Sequence, residues 1–160
     1  MTARSHFPVM PIKDVPASVP MTSSSKHRPV VLVVDDESAI ADSLSEILRL
    51  SGYAAITAYD AEEGLETALL MPPELLITDV MLPGMSGIEL AIRMRRIFPD
   101  CRILLFSGQA ATSDLLTSAA RAGHRFTLLA KPVHPTDLLR RVSESFKMAG
   151  TASASLLAQM

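Results

Sequence analysis

Five short apolar runs, separated by segments of helical period, constrain this chain to an alternating α/β fold with a parallel sheet. Pro29 to Val34, Glu74 to Thr78, Arg102 to Phe106 and Phe126 to Ala130 are mostly continuous apolar stretches, the pattern of strands buried on both faces. Tyr53 to Ala58 is weaker and reads as an edge strand. Between them, Ser38 to Leu50 sets Ile40, Leu44, Ile47 and Leu48 on one helical face, and Gly52 follows as a stop. Ala61 to Met71 ends at Pro72-Pro73, Gly87 to Phe98 at Pro99, and Thr112 to Ala122 at Gly123. The last helix is expected over Thr136 to Met148, ending near Gly150, with Thr136 as N-cap and Leu138, Leu139, Val142 and Phe146 facing inward. The expectation is one doubly wound α/β domain over residues 29–148.

A length of 160 residues suits one such domain and crowds two. Fifteen Lys and Arg against 17 Asp and Glu, a net charge of -2, give no polybasic footprint for DNA, RNA or anionic lipid. Cys101 is the single cysteine, which excludes an internal disulfide and a cysteine metal cluster and is expected to be a reduced core thiol. Residues 1–28 carry Pro8, Pro11, Pro16, Pro20 and the run Thr22-Ser23-Ser24-Ser25, which reads as a disordered leader without a signal-peptide core. Met21 offers an alternative translation start to Met1. Residues 149–160 are expected to be a short tail with no output domain. No run approaches the roughly 18 to 20 apolar residues of a membrane span, so a cytoplasmic protein is expected.

The informative polar residues fall where the apolar runs end. Asp35 and Asp36 follow the first strand, Asp79 the third, Ser107 the fourth and Lys131 the fifth. In open parallel sheets the C-terminal strand ends share one rim, where ligands bind. Three carboxylates drawn together repel by about 1 to 4 kcal/mol per pair at 4 Å, so the cluster calls for a cation or for protons. Mg2+ suits such oxygen donors and commonly shares its shell with phosphate. One carboxylate then remains as a nucleophile towards phosphorus, with Lys131 offsetting the charge on the transferring group and Ser107 donating to the product.

With these residues in place, the chain resembles the response regulator receiver domain of two-component signalling, over residues 29–148. The motifs are Asp35-Asp36-Glu37, then Asp79-Val80-Met81-Leu82-Pro83-Gly84-Met85-Ser86-Gly87, then Phe106-Ser107-Gly108, then Ala130-Lys131-Pro132. The resemblance implies a flavodoxin-like (βα)5 sheet of order 2-1-3-4-5, with Asp79 as phosphoacceptor. It implies that Asp35, Asp36, Asp79 and the Met81 backbone carbonyl hold Mg2+, with Mn2+ as a substitute. Lys131 bridges to the phosphoryl group, Ser107 is the switch hydroxyl, and Lys131-Pro132 is a cis-peptide candidate. The chain departs from the family at Leu128, where an aromatic residue is usual, so output is expected through the loop after Ser107 instead. Met81 and Gln109 occupy positions that tune dephosphorylation, and Met81, unable to hold water strongly, is expected to give slow self-hydrolysis.

The expected function is a single-domain response regulator, phosphorylated by a sensor histidine kinase or histidine phosphotransfer protein. It would be a switch with Mg2+-dependent self-phosphorylation and self-dephosphorylation, not a turnover enzyme. A downstream protein would dock on the fourth and fifth helices of a monomer or weak dimer, without direct DNA or membrane binding. A receiver-like interaction module that is never phosphorylated is the alternative, encouraged by Leu128. Asp35-Asp36-Glu37 taken alone would be a solvated helix start. An FMN protein of the same sheet order is disfavoured by that acidic loop, because phosphate cradles use backbone amides. A two-aspartate phosphatase is disfavoured because adjacent side chains point to different sides. His6, His27, His124 and His134 lack ligand spacing, and Arg93, Arg95 and Arg96 read as a solvated helix face.

Overall fold

The computed structural model describes residues 26–108 and 112–157, with 149–157 described as helix backbone only. The strands are β1 (Val30–Val34), β2 (Ala54–Ala58), β3 (Leu75–Asp79), β4 (Arg102–Ser107) and β5 (Thr127–Ala130). They alternate with α1 (Ser38–Leu50), α2 (Ala61–Leu70), α3 (Gly87–Ile97), α4 (Thr112–Arg121) and α5 (Pro135–Leu157). All four pairings are parallel and the sheet order is β2-β1-β3-β4-β5, the doubly wound order expected.

Strand side chains alternate between two cores, as a period of two requires. Leu32, Val34, Leu76, Ile103 and Leu105 pack with Ala68 of α2 and with Leu90 and Met94 of α3. Val31, Val33, Ile77, Leu104 and Phe106 pack on the opposite face with Leu48 of α1 and with Leu138 and Val142 of α5. Each of these Val, Leu, Ile, Met and Phe side chains, buried fully, contributes about 1.5 to 3 kcal/mol. Local signals set the helix ends. Asp60 and Ser86 accept the amides of Glu63 and Glu89 as N-caps of α2 and α3. At the end of α1, Gly52 takes φ +96°, while Tyr53 N–H reaches back to the Leu48 carbonyl at 3.0 Å.

Four expectations need correction. The last strand is not buried on both faces: β5 is an edge, and Thr127, Leu128 and Ala130 are exposed while Leu129 is buried. Helix α5 continues past Gly150 to Leu157, because a glycine inside a run of Ala, Ser and Leu costs only about 1 kcal/mol against alanine and is no obligatory stop. Thr136 is not its N-cap; Pro135 opens the helix, and the His134 ring accepts the Thr136 amide through Nδ1 at 3.3 Å. The leader's end is also anchored. His27 Nε2 lies 3.0 Å from both Glu74 carboxylate oxygens, and Arg28 donates to the carbonyls of Arg49, Gly52 and Tyr53 at the C-terminus of α1. The rest of the expected leader, 1–25, lies outside the described residues.

Candidate functional site

Because β1 is flanked by β2 on one side and β3 on the other, the chain's crossovers leave in opposite directions there, and a crevice opens between the C-terminal ends of β1 and β3. Asp35 follows β1 and Asp79 ends β3, so the two carboxylates meet across it. Both are buried, whereas Asp36 is exposed at the rim. A carboxylate oxygen from each of Asp35, Asp36 and Asp79 lies within 4.8 Å of the others.

Lys131, carried by the loop after β5, closes the site. Its Nζ donates to Asp35 Oδ2 at 2.7 Å and to Asp79 Oδ2 at 2.8 Å. Burial works against the ammonium charge, but the hydrogen bonds and charges of Asp35 and Asp79 outweigh it, so the Lys131 pKa is raised. The other carboxylate oxygens are held by backbone: Glu37 N–H donates to Asp35 Oδ1 at 3.0 Å and Met81 N–H to Asp79 Oδ1 at 3.1 Å. A cavity of 210 Å3, lined by Asp36, Glu37, Asp79, Met81, Gly108 and Lys131, opens beside these groups. Its converging carboxylates are hard oxygen donors and fit a small divalent cation such as Mg2+, which would offset their mutual repulsion.

The Lys131-Pro132 peptide is cis. Ser107 is buried at the end of β4, and its carbonyl accepts the Lys131 N–H at 2.9 Å. Its hydroxyl is hydrogen-bonded to that of Thr112, the first residue of α4, and it does not line the acidic cavity. Leu128 is 39% exposed on β5, with no aromatic ring at that position. Gln109 lies outside the described residues. The motifs include Glu37 and Gly87 without giving either a role, and nothing in the sequence marked Thr112 as a site-forming position. Gly87 packs so closely beneath the phosphoacceptor candidate that a Cβ would meet the Asp79 carbonyl oxygen.

Away from this rim, Cys101 is buried, and desolvation pushes its thiol up to about 11 despite the hydrogen bond from Leu76 and the charge of Arg102. Arg95 is not merely solvated: it donates to the Arg125 carbonyl and lies 4.1 Å over the Phe126 ring, on which His124 also stacks. No helix among the described residues is long and apolar enough to cross a membrane.

Fold and site together define a flavodoxin-like α/β domain with an acidic pocket at its topological switch point. Residues 31–143 match the model of the response regulator receiver domain, and the chain belongs to that family. It is similar to a CheY-like receiver domain protein from Methanospirillum hungatei, at 30% identity and a TM-score of 0.71 over 79% of this chain and 99% of that one. It also resembles the chemotaxis response regulator CheY4 of Vibrio cholerae, at 29% identity and a TM-score of 0.64 over 74% of this chain and 99% of that one. Among curated proteins, it is 34% identical over 128 residues to the alkaline phosphatase synthesis transcriptional regulatory protein PhoP of Bacillus subtilis, covering 78% of this chain and 51% of PhoP. The transcriptional regulatory protein PrrA of Mycobacterium tuberculosis is 29% identical over 127 residues, 79% of this chain and 54% of PrrA. The chain thus spans about half the length of these curated relatives.

Proposed function

We propose that this receiver domain accepts a phosphoryl group on Asp79 from a phosphohistidine of a sensor kinase or phosphotransfer protein, and signals through protein contacts that depend on it. The observation that carries the reading is the Lys131 ammonium bridging Asp35 and Asp79 inside the acidic cluster. An Asp79 carboxylate oxygen attacks phosphorus as the phosphorus–nitrogen bond to the donor imidazole breaks, and the electron pair stays with the imidazole. Lys131 exchanges its Asp79 oxygen for a phosphoryl oxygen and so keeps an anionic partner throughout. Asp35, Asp36, Asp79 and the Met81 carbonyl would hold Mg2+, which when bound supplies charge neutralisation for the incoming phosphoryl group. Ser107 donates to the product, and Met81 beside Asp79, being apolar, orients no attacking water, which makes the phosphoryl group long-lived.

Incubation with acetyl phosphate or phosphoramidate, with and without Mg2+, followed by intact mass, tests the reading. The expected result is one added phosphoryl group that requires Mg2+ and is absent from Asp79→Asn. No gain with any donor would leave a receiver-like interaction module, with the acidic cluster kept for shape.

A further inference from the structure

Ser107 and Thr112 are two buried hydroxyls, 8% and 2% exposed, that hydrogen-bond to each other between the end of β4 and the start of α4. On one side Ser107 is tied to the acidic site, since its carbonyl accepts the amide of Lys131, whose ammonium spans Asp35 and Asp79. On the other side lies a lightly anchored helix: Thr112 and Ala119 are the buried residues of α4, and half-buried Leu116 packs beside Ala119 on the core. Helices with few buried contacts sit at the low end of the local stability range. Leu128 offers no hydroxyl or ring on β5 through which a displacement of Ser107 could travel.

We propose that Thr112 is a positioning residue for the phosphoacceptor site, holding the Ser107 hydroxyl against α4 until a phosphoryl group on Asp79 draws it away. This rests on Asp79 being phosphorylated. Whichever hydroxyl donates, the Ser107 oxygen moves by rotation about its Cα–Cβ bond among three staggered positions, and turning towards the phosphoryl group turns it from Thr112. Thr112 then loses a buried partner, and the first turn of α4 opens more often. The presence of phosphate is thereby reported at α4 without an aromatic rotamer.

Backbone hydrogen exchange of the full chain, read by mass spectrometry with and without beryllofluoride and Mg2+, tests this in the wild type, Thr112→Val and Thr112→Ser. Beryllofluoride is expected to raise exchange over 112–121 roughly fivefold in the wild type and in Thr112→Ser, the size set by one net hydrogen bond. Thr112→Val is expected to show the raised exchange beforehand and to gain nothing further. A wild type that takes up phosphate by intact mass while α4 exchange stays unchanged would overturn the coupling and leave the phosphoacceptor reading intact. So would a Thr112→Val variant that responds as the wild type does. Absence of phosphoryl gain in the wild type overturns both. The wild-type arm stands even if the valine variant does not fold.

Discussion

The Cα of Gly87, the first residue of α3, faces the backbone of Asp79 so closely that a Cβ there would lie 1.7 Å from the Asp79 carbonyl oxygen. Gly87 also donates its amide to the Val80 carbonyl at 2.9 Å, which pins the start of α3 under the end of β3. Gly87→Ala must therefore displace either α3 or Asp79 itself. We expect a loss of at least about 1 to 3 kcal/mol, the range for overpacking, read as a lower urea midpoint, together with slower phosphorylation by acetyl phosphate. Wild-type values for both would show slack where none is visible.

Lys131 is the counter-ion of two buried carboxylates, so its removal leaves like charges facing one another. In Lys131→Met the fold should lose about 1 to 3 kcal/mol in EDTA, reduced from the cost of breaking a fully buried pair because Lys131 is partly exposed. Excess Mg2+ should then raise its melting temperature more than it raises that of the wild type. Equal shifts in the two proteins would mean that the ammonium and the cation do not serve the same carboxylates.

Cys101 supplies an alkaline signature. Burial lifts its thiol from 9.0 to about 11, so the unfolded chain ionises first. The contribution to stability is complete below pH 9 and is lost as the pH rises through 11, at about 1.4 kcal/mol per unit of pKa difference and roughly 3 kcal/mol in all. Lys131, also raised, acts in the same direction at higher pH, its share present below the unfolded lysine value and lost above the folded one. Urea titrations at about pH 8.5 and at about pH 10.5 should therefore show a steeper fall for the wild type than for Cys101→Ala, in which Lys131 is unchanged. Parallel falls would place the thiol in contact with water.

Arg28 closes the C-terminus of α1 with donors to three carbonyls, including Arg49 at 3.0 Å and Tyr53 at 3.0 Å. Arg28→Ala should cost on the order of 1 kcal/mol and speed amide exchange in the last turn of α1 without altering phosphorylation. An unchanged exchange rate there would show that the cap is dispensable.

Much of the architecture was legible because it rests on local signals. The runs ending at Val34, Thr78 and Phe106 are too apolar to be anything but covered on both faces, and Gly52, Pro72, Pro99 and Gly123 stop helices through their own backbone chemistry. Phe126 to Ala130 misled, since an edge strand and a central one have the same composition when a helix covers only part of one face. Gly150 misled as well, because a helix passes through glycine when its neighbours favour it. Thr136 has a cap's chemistry, yet Pro135 before it already takes the first helical position.

At the site, residue type alone marked Asp35, Asp36, Asp79 and Lys131, since a charged group at the end of a buried apolar strand is costly unless it is paired or holds an ion. What only the tertiary structure decided is which atoms meet: the ammonium of Lys131 between Asp35 and Asp79, the bare Cα of Gly87 against Asp79, and the hydroxyl of Ser107 on Thr112. The sequence by itself determined the alternation of elements and the chemistry available at the strand ends, because hydrophobic period and backbone restriction act over a few residues. Pairings across 96 and 52 residues of chain, from Lys131 to Asp35 and to Asp79, arise only when the parallel sheet brings its C-terminal ends onto one rim.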